Sequence, residues 1–172
     1  MRAATMLLPL AFAAAAPAAA EVRRADAQGF EIESTAMLVT TPADSYAALG
    51  RIGEWWNASH SFSGDAANMR LTLEAAGCFC EAIPATGGSV EHGRVIAAMP
   101  GEMLRIQSAL GPLQSEPVTG ILTWRLESVD GGTRVTMSYT VGPIRGDVPA
   151  LAAAVDQVLT EQLNRLQTHL AH

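Results

Sequence analysis

The last stretch of the chain, residues 148–171, reads as one long amphipathic helix, and it follows seven strand-like segments. Leu151, Val155, Val158, Leu159, Leu166 and Leu170 recur at three- and four-residue intervals and so share a face. At about 100° per residue, Gln162 and His169 fall inside that apolar stripe. A helix of about 36 Å, at about 1.5 Å per residue, can lie across a sheet. Polar groups turned inward along it point to a cavity rather than a plain core.

The strand segments follow from period-two alternation and the turn residues around them. Phe30, Ile32, Ala36 and Leu38 alternate with Glu31, Glu33 and Thr35 in the first. Thr41 then caps a helical segment with Pro42 at its first position, running through Tyr46, Leu49 and Ile52 to Trp55-Trp56 and broken near Gly50 and Gly53. Strands are predicted over residues 69–74, 78–83, 90–98, 103–110, 118–129 and 133–141. Gly87-Gly88, Pro100-Gly101, Gly111-Pro112 and Asp130-Gly131-Gly132 supply the turns. Successive hairpins make an antiparallel sheet with one face to cover. Met69, Leu71, Leu73, Leu104, Ile106, Ser108, Leu122, Trp124, Leu126, Val135, Met137, Tyr139 and Val141 form the inner set; Arg70, Glu74, Arg105, Arg125, Glu127 and Arg134 face out. The expected fold is α+β: a curved seven-stranded antiparallel sheet wrapped on the C-terminal helix, with two short helices after the first strand.

Residues 1–20 read as a signal peptide: Arg2, an apolar run from Met6 to Ala16, and Ala18-Ala19-Ala20 before a cleavage expected after Ala20. The apolar run falls short of the roughly 20 residues of a membrane span. Residues 21–172 then form one domain in the periplasm, with no stable membrane insertion after cleavage. Without Arg2, ten basic residues face seventeen acidic ones, which argues against nucleic-acid binding. The chain has no lysine, so Schiff-base chemistry and a phosphate-loop lysine are excluded.

The order of elements, Trp55-Trp56 after the first helix, Gly77-Cys78-Phe79-Cys80-Glu81, Pro100-Gly101, Gly111-Pro112-Leu113-Gln114 and Val155-Asp156-Gln157-Val158-Leu159 resemble the START-like superfamily with the Bet v 1 helix-grip fold. More narrowly, the chain resembles the exported bacterial SRPBCC, or polyketide cyclase/dehydrase-like, branch. The resemblance spans Phe30 to Leu170. It implies a deep cavity between sheet and helix for a hydrophobic or amphipathic small molecule, and no cofactor.

Cys78 and Cys80, two apart on a strand, project from one face. As buried thiols they pack as small hydrophobes; a bridge between them needs a bulge, because extended Cα atoms two apart sit near the upper end of the usual range of about 4.4–6.8 Å. A Cys/Cys/His metal site would need a change of hairpin parity, so no metal is expected. The same parity brings Glu81, His92 and Arg94 together, as a proton-transfer pair with an anion-holding arginine or, favoured by the smaller apolar residues opposite, as a cross-strand ion pair on the solvated face. His60, in the loop after Trp55-Trp56, completes the catalytic candidates His60, Glu81 and His92. Ligand-contact candidates are Trp55, Trp56, Phe62, Ser108, Trp124, Met137, Tyr139, Val155, Leu159 and Gln162.

No G-x-S-x-G, H-E-x-x-H, C-x-x-C or phosphate loop is present. The leading expectation is a periplasmic binding or carrier protein for a hydrophobic or amphipathic molecule. The alternative is a cofactor-independent cyclase, dehydratase or hydrolase using a His/Glu acid-base pair in the same cavity. A redox or protein-interaction role through Cys78 and Cys80 is the third.

Overall fold

The computed structural model describes residues 18–172. The expected signal peptide lies outside the described residues except for Ala18 to Ala20. Strands β1 (Ala19–Asp26), β2 (Gly29–Leu38), β3 (Met69–Leu71), β4 (Cys78–Ile83), β5 (Gly88–Met99), β6 (Met103–Ser108), β7 (Thr119–Val129) and β8 (Gly132–Gly142) form one antiparallel sheet in the order β1-β2-β8-β7-β6-β5-β4-β3. Helices α1 (Pro42–Gly50) and α2 (Ile52–Trp55) follow β2, and α3 (Val148–His169) ends the fold.

The sheet has eight strands, not the seven expected. The added strand, β1, hides from a hydrophobic reading because it is an edge strand whose side chains are mostly exposed. Surface ion pairs, Arg23 with Glu33 at 2.6 Å and Arg24 with Asp26 at 2.8 Å, replace apolar alternation there. Strand bounds are corrected too: β3 stops at Leu71, and β6 at Ser108, two residues short of the expected end and before a 3-10 turn over Gly111–Ser115.

The inner set lies inside: Leu104, Ile106, Leu122, Trp124, Val135, Met137, Tyr139 and Val141 are all buried. Thr41 accepts a hydrogen bond from the Asp44 N–H and caps α1. Trp55 donates its indole N–H to the Ala48 carbonyl at 2.9 Å and packs edge-on against Trp124, so α1 and α2 close one end of the core.

Helix α3 starts at Asp147, whose carboxylate accepts from the Ala150 N–H, with Pro149 in its first turn. Its two halves differ. Leu159, Leu163 and Leu166 are buried, and the helix packs on β1, β2 and α2. Ser34 of β2 meets Thr160 hydroxyl to hydroxyl at 2.8 Å, and Arg165 donates to the Trp55 carbonyl at 2.8 Å. In the first half Leu151, Val155 and Val158 are only half-buried. Among the described residues no helix is long and apolar enough to cross a membrane.

Candidate functional site

The β4–β5 hairpin builds the polar part of the site through a one-residue slip. Ile83 pairs with Gly88 and Cys80 with Glu91, but Phe79 pairs with Gly93, so His92 is the extra residue of a β-bulge. The strand can close over it because residue 93 is glycine: a Cβ there would stand 2.7–2.9 Å from the Gln107 carbonyl oxygen and the Ile106 and Ser108 side chains. Alternation from Val90, the partner of Glu81, sets His92 on the same face as Glu81, both are buried, and the bulge reverses only the residues that follow. The solvated-face placement favoured from sequence is therefore corrected, and so is the place of Arg94. Arg94 points outward, ion-paired with Glu91 and donating to the Ala76 carbonyl.

Glu81 is held from three sides. It accepts from the backbone N–H of Phe62 at 3.0 Å, from that of Ser63, and from His92 Nε2 at 2.8 Å. Burial pushes its carboxyl up, but the hydrogen bonds from Ser63, Phe62 and His92 outweigh burial and hold it below the usual carboxylate range. Burial lowers the His92 pKa, against the opposing pull of Glu81. An ionised Glu81 facing a neutral imidazole fixes the tautomer: Nε2 carries the proton, and Nδ1 keeps the lone pair. Two aromatic rings lie beside the imidazole, Phe79 with its centroid 4.8 Å away and Phe62 at 5.7 Å.

His92 forms part of the wall of a cavity of about 800 Å³. One side of it is α3 from Leu151 to Leu159, with Leu151, Val155, Val158 and Leu159; the others are the loop carrying Trp56, His60 and Phe62 and the segment from Leu110 to Ser115. The first loop is tied down twice. Asn57 and His60 reach Glu161 of α3, His60 at 3.3 Å, and Phe62 and Ser63 reach Glu81. Among the described residues, no Asp, Glu or Arg lines the cavity.

Of the residues singled out from sequence, the structure brings together His60, His92, Trp56, Phe62, Val155 and Leu159 around this cavity, with Glu81 behind His92. Trp55, Trp124 and Met137 belong to the packed core. Tyr139 donates to the Ser108 carbonyl at 3.0 Å and accepts from the Leu110 N–H at 3.1 Å, while the Ser108 hydroxyl donates to the His92 carbonyl at 2.6 Å. Gln162, fully buried, accepts from the Asn57 N–H at 2.7 Å and donates to the Val158 carbonyl. These three brace the cavity wall from behind. Leu110, Pro112 and Gln114 were missed as wall residues; the Gly111-Pro112 turn marked that segment, without marking its direction.

Cys78 and Cys80 are joined in a disulfide, with Cα atoms 5.4 Å apart, which corrects the reading as packed thiols. The extra residue opposite the bridge is on β5, at His92, and not on the cysteine strand β4, where the bulge was expected. The bridge lies on the opposite face of β4 from Phe79 and Glu81, across from Glu91 and Arg94.

No protein-family model matches the chain, and no curated protein matches it. Solved structures do. A protein from Rhizobium leguminosarum, titled as uncharacterized, is similar with a TM-score of 0.61 at 16% identity, covering 91% of this chain and 99% of that one. The protein Ms6760 of Mycobacterium smegmatis is similar with a TM-score of 0.61 at 13% identity, over 90% of this chain and 97% of that one. A protein from Rhodobacter sphaeroides reaches 21% identity with a TM-score of 0.58, over 89% of this chain and 99% of that one. At such identities the likeness concerns the fold alone, a curved antiparallel sheet with a C-terminal helix, as in a helix-grip fold.

Proposed function

We propose that this chain is an exported member of the SRPBCC branch of the START-like superfamily that binds a hydrophobic or amphipathic small molecule between the sheet and α3. The observation that carries this reading is the cavity itself. Its volume of about 800 Å³ falls in the range of small-molecule sites, roughly 300–1,000 Å³, and its apolar wall is interrupted by a few convergent polar groups. The signal-like residues 1–20 support a periplasmic location.

The test is titration of the purified mature protein with an apolar fluorescent probe such as 1-aminoanthracene, read by energy transfer from Trp56 and the other tryptophans. Saturable binding at one molecule per chain is expected. Val158→Trp, which fills the cavity from α3, abolishes it while leaving the circular dichroism spectrum unchanged. Equal binding by wild type and Val158→Trp would place the probe elsewhere and sink the reading.

A second reading, a cofactor-independent acid-base enzyme, is favoured by one observation: His92 lines the cavity with Nε2 bonded to a buried carboxylate. Nδ1 is then the basic nitrogen, and Glu81 stabilises the imidazolium formed when it takes a proton. Hydrolysis of p-nitrophenyl esters of increasing chain length checks this: His92→Asn should lose the activity and Glu81→Gln should shift its pH profile. Identical rates in wild type and His92→Asn would end it.

A further inference from the structure

A second hollow, of about 450 Å³, opens beside the first and shares two wall residues with it, His92 and Gln114. It lies where β6 has ended and β7 begins, and its wall is polar: Glu91, Arg94, Gln107, Gln114 and Thr119. Gln114 stands between the two hollows, exposed, and donates to the Glu91 carbonyl at 3.2 Å. A single long hydrogen bond at an exposed position is easily exchanged for one to a ligand.

The charges in this cleft cancel. Arg94 and Glu91 are ion-paired with each other, and Arg94 is further used by the Ala76 carbonyl. An anion placed there would meet the Glu91 carboxylate and a cation the Arg94 guanidinium. The main cavity offers no counter-ion either, since among the described residues no Asp, Glu or Arg lines it and His60 already faces Glu161. A charged head group would thus find no unpaired counter-ion in either hollow to favour it over a neutral one. A neutral group bearing several hydroxyls can instead use the amide groups of Gln107 and Gln114 and the Thr119 hydroxyl as donors and acceptors together.

We propose that the molecule bound by this chain is amphipathic with an uncharged, multiply hydroxylated head, its apolar part in the cavity and its head in the cleft beyond His92 and Gln114. This rests on the binding function proposed above and adds the ligand's class to it.

Three probes with the same eight-carbon alkyl chain test it: octyl glucoside, nonanoate and octyltrimethylammonium. Each is titrated below its micellar concentration against the protein loaded with 1-aminoanthracene. Octyl glucoside should displace the dye with an affinity about tenfold or more above either ion, a factor that one hydrogen bond can supply. Gln107→Leu and Thr119→Val, which line only the cleft, should each lower that affinity several-fold while leaving 1-aminoanthracene binding unchanged. If the ions displace the dye as well as the glucoside does, or if both variants bind the glucoside as wild type does, the inference is overturned while the cavity reading stands. If the dye never binds, the cavity reading falls and this inference with it.

Discussion

Tyr139 does its work with a single hydroxyl. The oxygen donates to the Ser108 carbonyl and accepts from the Leu110 N–H, so it fixes the point where β6 ends and the cavity wall from Leu110 begins. Burial pushes the phenol up to about 12, against the weaker effect of the Leu110 N–H, so it stays a donor throughout the ordinary pH range. Gly120 gives it room, since a Cβ there would lie 2.7 Å from the hydroxyl and 2.1 Å from the Ser108 oxygen. Tyr139→Phe strands two backbone groups and should destabilise the fold by about 1–3 kcal/mol, read from urea unfolding; an unchanged midpoint would remove the brace. Glu81 and His92 give the second expectation at this scale. Both pKa values are lower in the folded chain, so the unfolded chain binds more protons as pH falls, and stability falls with it. The His92 contribution is whole above the unfolded value of about 6.5 and is lost as pH falls through the folded value; that of Glu81 follows below about 4.3. Urea midpoints between pH 7.5 and 5 should therefore drop more in wild type than in His92→Gln. Parallel profiles in the two proteins would contradict this.

At the scale of elements, what was legible in the sequence was whatever repeats with a period. β2, β7, β8 and α3 announce themselves because one face of each is buried, and Thr41-Pro42 announces α1 through its cap. β1 does not, because an exposed edge carries no such alternation. The bulge at His92 was equally hidden. Parity correctly joined Glu81 to His92 but assigned Arg94 to the same face, because a single extra residue reverses every orientation after it. The disulfide belongs with that bulge: Cys78 and Cys80 bridge two positions of β4 while β5 accommodates its extra residue opposite. A bridge of sequence separation 2 closes a very short loop, so by chain entropy it contributes only about 1–2 kcal/mol. Protein prepared without reductant should be two hydrogens lighter than its reduced form, and reduction should lower the urea midpoint by no more than that contribution. A complete loss of folding on reduction would show that the bridge holds the bulge in place.

At the scale of the whole molecule, the cavity exists because the first half of α3 buries only Val148 and Ala152 and leaves the rest of its apolar side half-buried. The second half of α3 is fastened by Leu159, Leu163 and Leu166, by the Ser34–Thr160 hydroxyl pair, by the Asn57 N–H donating to Gln162 and by Arg165 donating to the Trp55 carbonyl. Its first half presents Leu151, Val155 and Val158 to the cavity instead. Sequence periodicity marks all of these as one stripe, since it reports which face turns inward and not what that face meets; hence Trp124 and Met137 looked as much like ligand contacts as Val155 did. The split also decides where a ligand should act. Its stabilising effect follows mass action, about 2.7 kcal/mol at a free concentration one hundred times Kd. That gain should be concentrated in the elements that gain contacts: the loop from Trp56 to Phe62, the segment from Leu110 to Ser115, and α3 up to Leu159. Amide hydrogen exchange with and without bound probe measures it segment by segment. Slowing in those three segments, with little change in the second half of α3 or in β1 and β2, is the expected pattern. Uniform slowing across the sheet would mean that the probe stabilises the fold from some other site, and slowing confined to the exposed faces of β4 and β5 would locate that site on the disulfide side.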